Sequence, residues 1–473
     1  TYRVRFMPDR LGEWTYRTES SAPALDGQTG TFSCIPATAG NHGPVKVRGT
    51  FHFAYADGSP YRQIGTTSYA WIHQTRELQE QTLETLAASP FNKMRMCVFP
   101  KDYVYNQNEP ELYPFLRDDE GENDYTRFDP AFWHHLEKRV LDLQKLGIEA
   151  DIILFHPYDR WGYAEMDDDT DDFYLRYALA RLSAFRNVWW SLANEFDFMQ
   201  HKEPSDWDRI YEVIYRNDPY GRLRGIHNGR VWYDHTRPWV THASIQSSDF
   251  ARIEEHRQEY RKPVVFDECR YEGNIKEGWG NITAREMVDR FWKGTVAGAY
   301  VGHGETYQHP EDILWWSKGG VFHGESPERI AFLKGFMEQA PEEGIEPLAP
   351  GVGGRDGEYY LHYFGEESPR GLTLELPSYA LFEVTVIDTW NMEKKTLPET
   401  VLETATVALP GRPWMAVQVR RVDLEFPAEP VVIDSNGILF LEEKVVTLRH
   451  KSHPRIYYTL DGSAPTEEST LYE

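Results

Sequence analysis

Cysteine is scarce in this 473-residue chain, with three residues in all, Cys34, Cys97 and Cys269. An odd number without any CxxC spacing indicates neither a disulfide framework nor a zinc cluster. Positive charge is short as well. Lysine and arginine total 50 against 75 acids, and the formal net charge of −25 argues against nucleic acid or an anionic membrane as partner. No apolar run approaches the ~18–20 residues that cross a bilayer. A dinucleotide-binding fingerprint is also lacking. The one glycine-rich stretch, 351–357 (GVGGRDG), is expected to be a linker, because no strand is read before it. The chain opens at Thr1 without a charged-then-apolar leader, so either a leader was removed or this is an excised piece. Cytoplasmic and secreted locations both stay open.

What the chain does have is aromatic residues, 14% of the total with 15 Trp and 28 Tyr, and length enough for two to four domains. Residues 1–45 read as short strands and as part of an N-terminal β domain: Tyr2, Val4 and Phe6 alternate with arginines, then Trp14 and Tyr16 resume the pattern. From 46 to 342, eight short apolar runs (61–69, 92–99, 150–156, 188–194, 223–227, 240–246, 263–268 and 298–303) alternate with segments of helical period. Among these, 131–146, 171–184, 207–216 and 283–296 are the clearest, and Thr283 with Glu286 forms a capping box. Eight βα units in about 280 residues fit a (β/α)₈ barrel. A doubly wound sheet is the rival. Residues 101–130 make a long connection without helical period, of the kind that is usually functional or disordered. Residues 343–425 read as a small antiparallel β domain, and 426–473 as a further partial module in which Asp461-Gly462 signals a hairpin turn.

Two carboxylates stand out by position. Glu195 closes the apolar run WWSLAN and Glu268 closes VVFD, which places both at the C-terminal ends of barrel strands four and seven. Seventy-three residues separate them, three βα units of about 24 each. Strands four and seven lie across the barrel mouth from one another. Two convergent carboxylates are the minimal equipment for glycoside cleavage, one donating a proton and the other attacking or activating water.

The stretches WWSLANEF and VVFDE resemble the motifs of the large clan of (β/α)₈ retaining glycoside hydrolases that includes cellulases, mannanases and β-galactosidases. That resemblance implies Glu195 as acid/base, Glu268 as nucleophile and Asn194 as partner of the sugar 2-hydroxyl. It also implies Arg95 (in NKMRMCVF) near the nucleophile, and a polar site residue at His156. More narrowly, FMPDRLGEWTY and the order of modules are similar to a bacterial group of glycoside hydrolases related to apiosidase-like enzymes. The tail IYYTLDGSAPT looks like the immunoglobulin-like module of chitobiase-type proteins. One departure stands out: many clan members carry a His-Tyr on strand six that serves the nucleophile, and 241–246 reads THASIQ. Either His242 or Gln246 fills that place, or Tyr307 approaches from strand eight.

Other readings compete for the same residues. His156, His227, His242 and His303 all close apolar runs, as ligands of a metal-dependent hydrolase would, but strand one lacks the HxH pair of that class. The acidic run 167–172 lacks the spacing of a calcium loop and suits a helix N-terminus. Tyr69, Trp71, Tyr103, Tyr105, Trp279, Trp315 and Trp316 fall in or beside βα loops, where aromatic faces stack on sugar rings. Trp315-Trp316 is the favoured platform. The expectation is therefore a barrel flanked by β modules that hydrolyses O-glycosidic bonds of plant or microbial oligo- and polysaccharides by double displacement. No metal or cofactor is called for, the partner is carbohydrate, and the oligomeric state is open. A non-catalytic carbohydrate-binding barrel is the alternative from another class.

Overall fold

A computed structural model of the protein describes residues 3–422 except 312 and 379, and beyond them 432–434, 446–449, 455–461, 463, 465–466 and 468–472. The chain divides into two compact units, 1–355 with 389–393, and 356–388 with 394–473.

The first unit holds eight parallel strands: β1 (Gly65–Thr67), β2 (Lys93–Cys97), β3 (Glu149–Phe155), β4 (Val188–Ala193), β5 (Arg224–Gly225), β6 (Ala243–Gln246), β7 (Val264–Glu268) and β8 (Tyr300–His303). They run in the order β5-β4-β3-β2-β1-β8-β7-β6, and a parallel bridge from His227 to Ser244 joins the two ends. The result is a (β/α)₈ barrel. β2, β3 and β4 are buried at every residue, as expected of strands with side chains on one face and helices on the other.

The outer helices are set by their first residues. Thr75 caps Arg76–Ala87, and Asp129 caps Pro130–Lys145, where proline occupies a position whose N–H is not needed. Asp167 caps Asp168–Leu182 through Thr170 N at 2.9 Å, so the acidic run serves the helix terminus. The Thr283–Glu286 box opens Ala284–Val296. Pro204–Asn217, Ile253–Tyr260 and Ser326–Met337 complete the ring. No helix lies between β5 and β6, so one of the eight expected βα units is strand and loop only. Among the described residues, no helix is long and apolar enough to cross a membrane.

One end of the barrel is closed by a three-stranded antiparallel sheet, Val45–Arg48, His52–Tyr55 and Pro60–Tyr61. Its Phe53 packs 5.1 Å from both Trp189 and Tyr300, which stand near the starts of β4 and β8. That plugs the N-terminal mouth and leaves the strand exits open for a site. Toward the N-terminus, Gly12–Arg17 pairs with Thr29–Cys34, while residues 3–9 form no ladder. Phe6 instead rests on Trp14 at 5.0 Å, an aromatic contact that replaces the expected strand pairing.

Two further expectations change. The 101–130 connection contains a hairpin, Phe115–Arg117 with Asn123–Phe128, anchored by the fully buried Phe115. The glycine-rich stretch is not a linker either, since Val352–Arg355 pairs antiparallel with Glu346–Ala349. A Cβ on Gly353 would lie 2.5 Å from the carbonyl oxygen of Val296, so glycine is needed for the strand to approach the helix end.

In the second unit, Tyr359–Tyr363 and Phe382–Asp388 flank Met415–Arg421, and Gly371–Glu375 pairs with Thr404–Ala408. Leu374, Phe382, Val384, Val407, Val417 and Val419 form its core. Further on, Tyr457–Tyr458 pairs with Thr470–Leu471. The turn expected at Asp461-Gly462 includes Gly462, which lies outside the described residues.

Candidate active site

Glu195 directly follows Asn194 at the exit of β4, in a left-handed conformation with φ 50°. Such a backbone costs a non-glycine residue about 1–2 kcal/mol, and it turns the side chain out of the strand direction and over the barrel mouth. Glu268 is the last residue of β7. Both line one pocket of about 330 Å³, together with Tyr69, Lys101, Tyr103, Tyr158, Asn194, Gln246, Arg270, Tyr271, Trp279 and Trp316.

The two carboxyl groups sit in opposite settings. Glu268 Oε1 accepts a hydrogen bond from the Tyr69 hydroxyl, and Arg95 Nη1 stands 3.6 Å from the same oxygen. Burial lowers the Arg95 guanidinium's affinity for its proton, but Tyr69, Asp267, Asp151 and Glu268 around it more than restore the charge. Glu195 is 7% exposed, and burial together with the neighbouring charge of Glu268 drives its carboxyl well above the usual range. The Tyr158 hydroxyl, Lys101 and Gln246 Nε2 at 3.2 Å from Oε1 pull it partly back. One carboxyl group driven toward its protonated form, beside a second that meets a hydroxyl donor and an arginine, is a pattern of acid and nucleophile.

Asn194 links them. Its Oδ1 accepts from Arg95 Nη2 at 3.2 Å and lies 3.1 Å from the Tyr69 hydroxyl, and its Nδ2 is 3.4 Å from Glu195 Oε2. Beneath lies a buried charged layer, in which Lys93 Nζ donates to Asp267 at 2.7 Å and Asp151 at 3.0 Å, and Ser244 Oγ donates to Asp267 at 2.6 Å. Lys93 and Arg95 together hold the Asp267 carboxyl far below its ordinary value despite burial.

Of the residues expected at the site, Glu195, Glu268, Asn194, Arg95 and Trp316 come together, joined by Gln246 and the loop aromatics Tyr69, Tyr103 and Trp279. Five do not. Trp71 sits in a one-turn helix, Trp71–His73, that turns its indole inward onto Met96 Sδ at 3.1 Å. Trp315 donates to Thr66 Oγ1 at 2.9 Å and packs on Phe322, so only its neighbour Trp316 faces the pocket. His156 turns back to the carbonyl of Phe99 at 3.2 Å, where burial keeps the ring neutral, down to about 3. His242 precedes β6 and therefore lies at the plugged end, between Trp189 and Phe53. Tyr307 donates to Glu272 at 3.0 Å, away from both carboxylates. The strand-six residue at the site is Gln246, and it meets Glu195.

Sequence reasoning missed four contributors. Tyr69, named only as a loop aromatic, supplies the hydroxyl on Glu268 from the exit of β1. Tyr158 does the same for Glu195 from the exit of β3, and Tyr271 is buried beside Glu268. Lys101 is 2% exposed, and its ammonium lies 3.9 Å from the Tyr69 ring centre, 4.3 Å from Tyr158 and 4.6 Å from Trp316. Burial lowers its proton affinity, while Cys97, Glu195 and Glu268 counter that. All four fall within a few residues of a strand exit, which was the available signal.

A family model for an apiosidase-like catalytic domain matches residues 48–330. The chain belongs to the apiosidase-like glycoside hydrolases. Beyond this apiosidase-like domain, a domain of unknown function (DUF5605) matches 349–420 and an Fn3-associated module matches 446–473. A crystal structure of a "putative glycoside hydrolase" from Bacteroides vulgatus ATCC 8482 is 39% identical, covers 89% of this chain and 90% of its own, and superposes with a TM-score of 0.84. A glycoside hydrolase family 5 structure from the same organism shares the fold at 14% identity, with a TM-score of 0.62 over 80% of this chain and 94% of that one. No curated protein matches the sequence.

Proposed function

We propose that this apiosidase-like protein is a retaining glycoside hydrolase in which Glu195 is the acid/base and Glu268 the nucleophile. In the first step Glu195 gives its proton to the glycosidic oxygen while Glu268 attacks the anomeric carbon, forming a glycosyl ester and releasing the leaving sugar. In the second, Glu195 takes a proton from water as that water attacks the same carbon and frees Glu268. The reading rests on the contrast between the two carboxyl groups of one pocket: a buried Glu195 biased toward its protonated form, and a Glu268 that accepts from the Tyr69 hydroxyl and faces the Arg95 guanidinium. Asn194 is fixed between them and is the candidate to bind the sugar 2-hydroxyl.

The substrate is a plant or microbial oligo- or polysaccharide. Trp316, Trp279 and Tyr103 cluster at the pocket, with Trp279 and Trp316 centred 5.0 Å apart, and give apolar faces for sugar rings. A screen on aryl glycosides and plant oligosaccharides, run with wild type and Glu268→Gln, tests both parts. Turnover is expected in wild type only, with sugar binding kept in the variant. The first sugar released should carry the substrate's anomeric configuration by proton NMR. An inverted first product excludes double displacement, and turnover by Glu268→Gln removes Glu268 as nucleophile.

A further inference from the structure

Beyond the pocket, a second constellation gathers where β7 and β8 run on past the barrel. Glu272–Gly273 and Glu305–Thr306 form a short parallel pair, and His303 ends β8. One ligand atom from each of Glu272, His303 and Glu305 lies within 4.8 Å of the others, and all three side chains are essentially inaccessible to solvent. Neither carboxylate has an ion pair with lysine or arginine among the described residues. Their partners are neutral: Glu272 accepts from the Tyr307 hydroxyl and from Glu325 N and Ser326 N, and Glu305 accepts from His323 N and Gly324 N.

The imidazole supplies an independent pointer. His303 Nδ1 lies 3.0 Å from Thr66 Oγ1, while Nε2 is fully buried, has no hydrogen-bond partner and stands 3.8 Å from Glu305 Oε1. Phe91 stacks on the ring at 4.6 Å and fixes its direction. Thr66 Oγ1 accepts from Trp315 Nε1 and keeps a second lone pair for His303 Nδ1–H; in that tautomer the Nε2 lone pair faces Glu305. An outer hydrogen bond that sets the tautomer of a metal-binding histidine is the usual arrangement.

We propose that Glu272, His303 Nε2 and Glu305 bind one divalent cation of the zinc or manganese type. Two buried carboxylates without a cation are unfavourable, and one imidazole nitrogen with two carboxylates suits borderline ions better than calcium, which takes oxygen ligands. Three protein ligands leave a position for water, but all three are buried and none lines the pocket, so the site is structural rather than catalytic. The ion ties the exits of β7 and β8 to the backbone of 323–326, at the end of the loop that carries Trp316.

The test needs no glycosidase assay. Protein dialysed against a chelator is titrated with Zn²⁺, and separately with Mn²⁺, by calorimetry and in thermal scans. One equivalent of at least one ion is expected, with a midpoint rise of about 3 °C or more at a hundredfold excess over Kd. Glu305→Gln keeps the acceptor for the backbone N–H groups but loses the charge, and should bind at least tenfold more weakly. Absence of a one-equivalent event with both ions overturns the proposal whatever the variant does. Equal binding by Glu305→Gln also overturns it. A metal-free variant more stable than metal-free wild type, with no binding by wild type, identifies a shared proton between the two carboxyl groups instead.

Discussion

Replacing Tyr69 by Phe removes one oxygen and leaves the ring, so its effect reports the hydroxyl that donates to Glu268 and also meets Asn194 Oδ1 at 3.1 Å and Arg95 Nη1 at 3.3 Å. The ring still meets Trp316 at 5.6 Å and still underlies the Lys101 ammonium. What is lost is a donor to a charged oxygen, and the Tyr69 hydroxyl is a dependable donor because burial and the charge on Glu268 raise its own pKa far above 10. Arg95 remains 3.6 Å from the same Glu268 oxygen. A hydrogen bond to a charged group contributes about 1.5–3 kcal/mol, which is roughly ten- to hundredfold in kcat/KM. Kinetics on an aryl glycoside, with thermal scans alongside, measure the effect. A loss of less than about threefold refutes the role given to Tyr69. So does a loss explained by a melted protein.

Three further outcomes follow from neighbouring contacts. Lys101→Met removes a positive charge that favours ionised Glu195, so the alkaline limb of kcat/KM should move to higher pH; an unmoved or lowered limb contradicts the placement of Lys101 beside Glu195. Lys93→Met leaves the buried Asp267 and Asp151 with Arg95 as their one cation and should cost about 3 kcal/mol in urea unfolding, against under 1 kcal/mol if the layer is dispensable. Trp316→Ala should raise KM several-fold with some loss of stability, because it is itself buried, whereas Trp315→Ala should lower the melting midpoint and leave KM unchanged, because its indole is tied to Thr66 in the barrel wall. Equal effects of the two on KM overturn the assignment of Trp316 alone to the pocket.

The sequence by itself determined the barrel and its two carboxylates, because both are local facts. Continuous apolar runs mark strands buried on two faces, and a glutamate that ends such a run must emerge at the strand exit. Helix starts were equally local, written in Asp167, Thr283 and Glu286. Only the tertiary structure decided which of the residues near each exit face the pocket. Tyr69 and Trp71 are two positions apart, yet the short helix at Trp71–His73 sends one to Glu268 and the other into the core. Trp315 and Trp316 part in the same way. His242 and Gln246 bound a single strand, and strand direction puts one at the plugged end and the other on Glu195. Lys101 carries only its nearness to a strand exit as a signal in the sequence; it becomes part of the site because Tyr69, Tyr158 and Trp316, from three different loops, close around its ammonium. Side-chain direction in loops is set by contacts between segments far apart in the chain, and no period in the sequence encodes it.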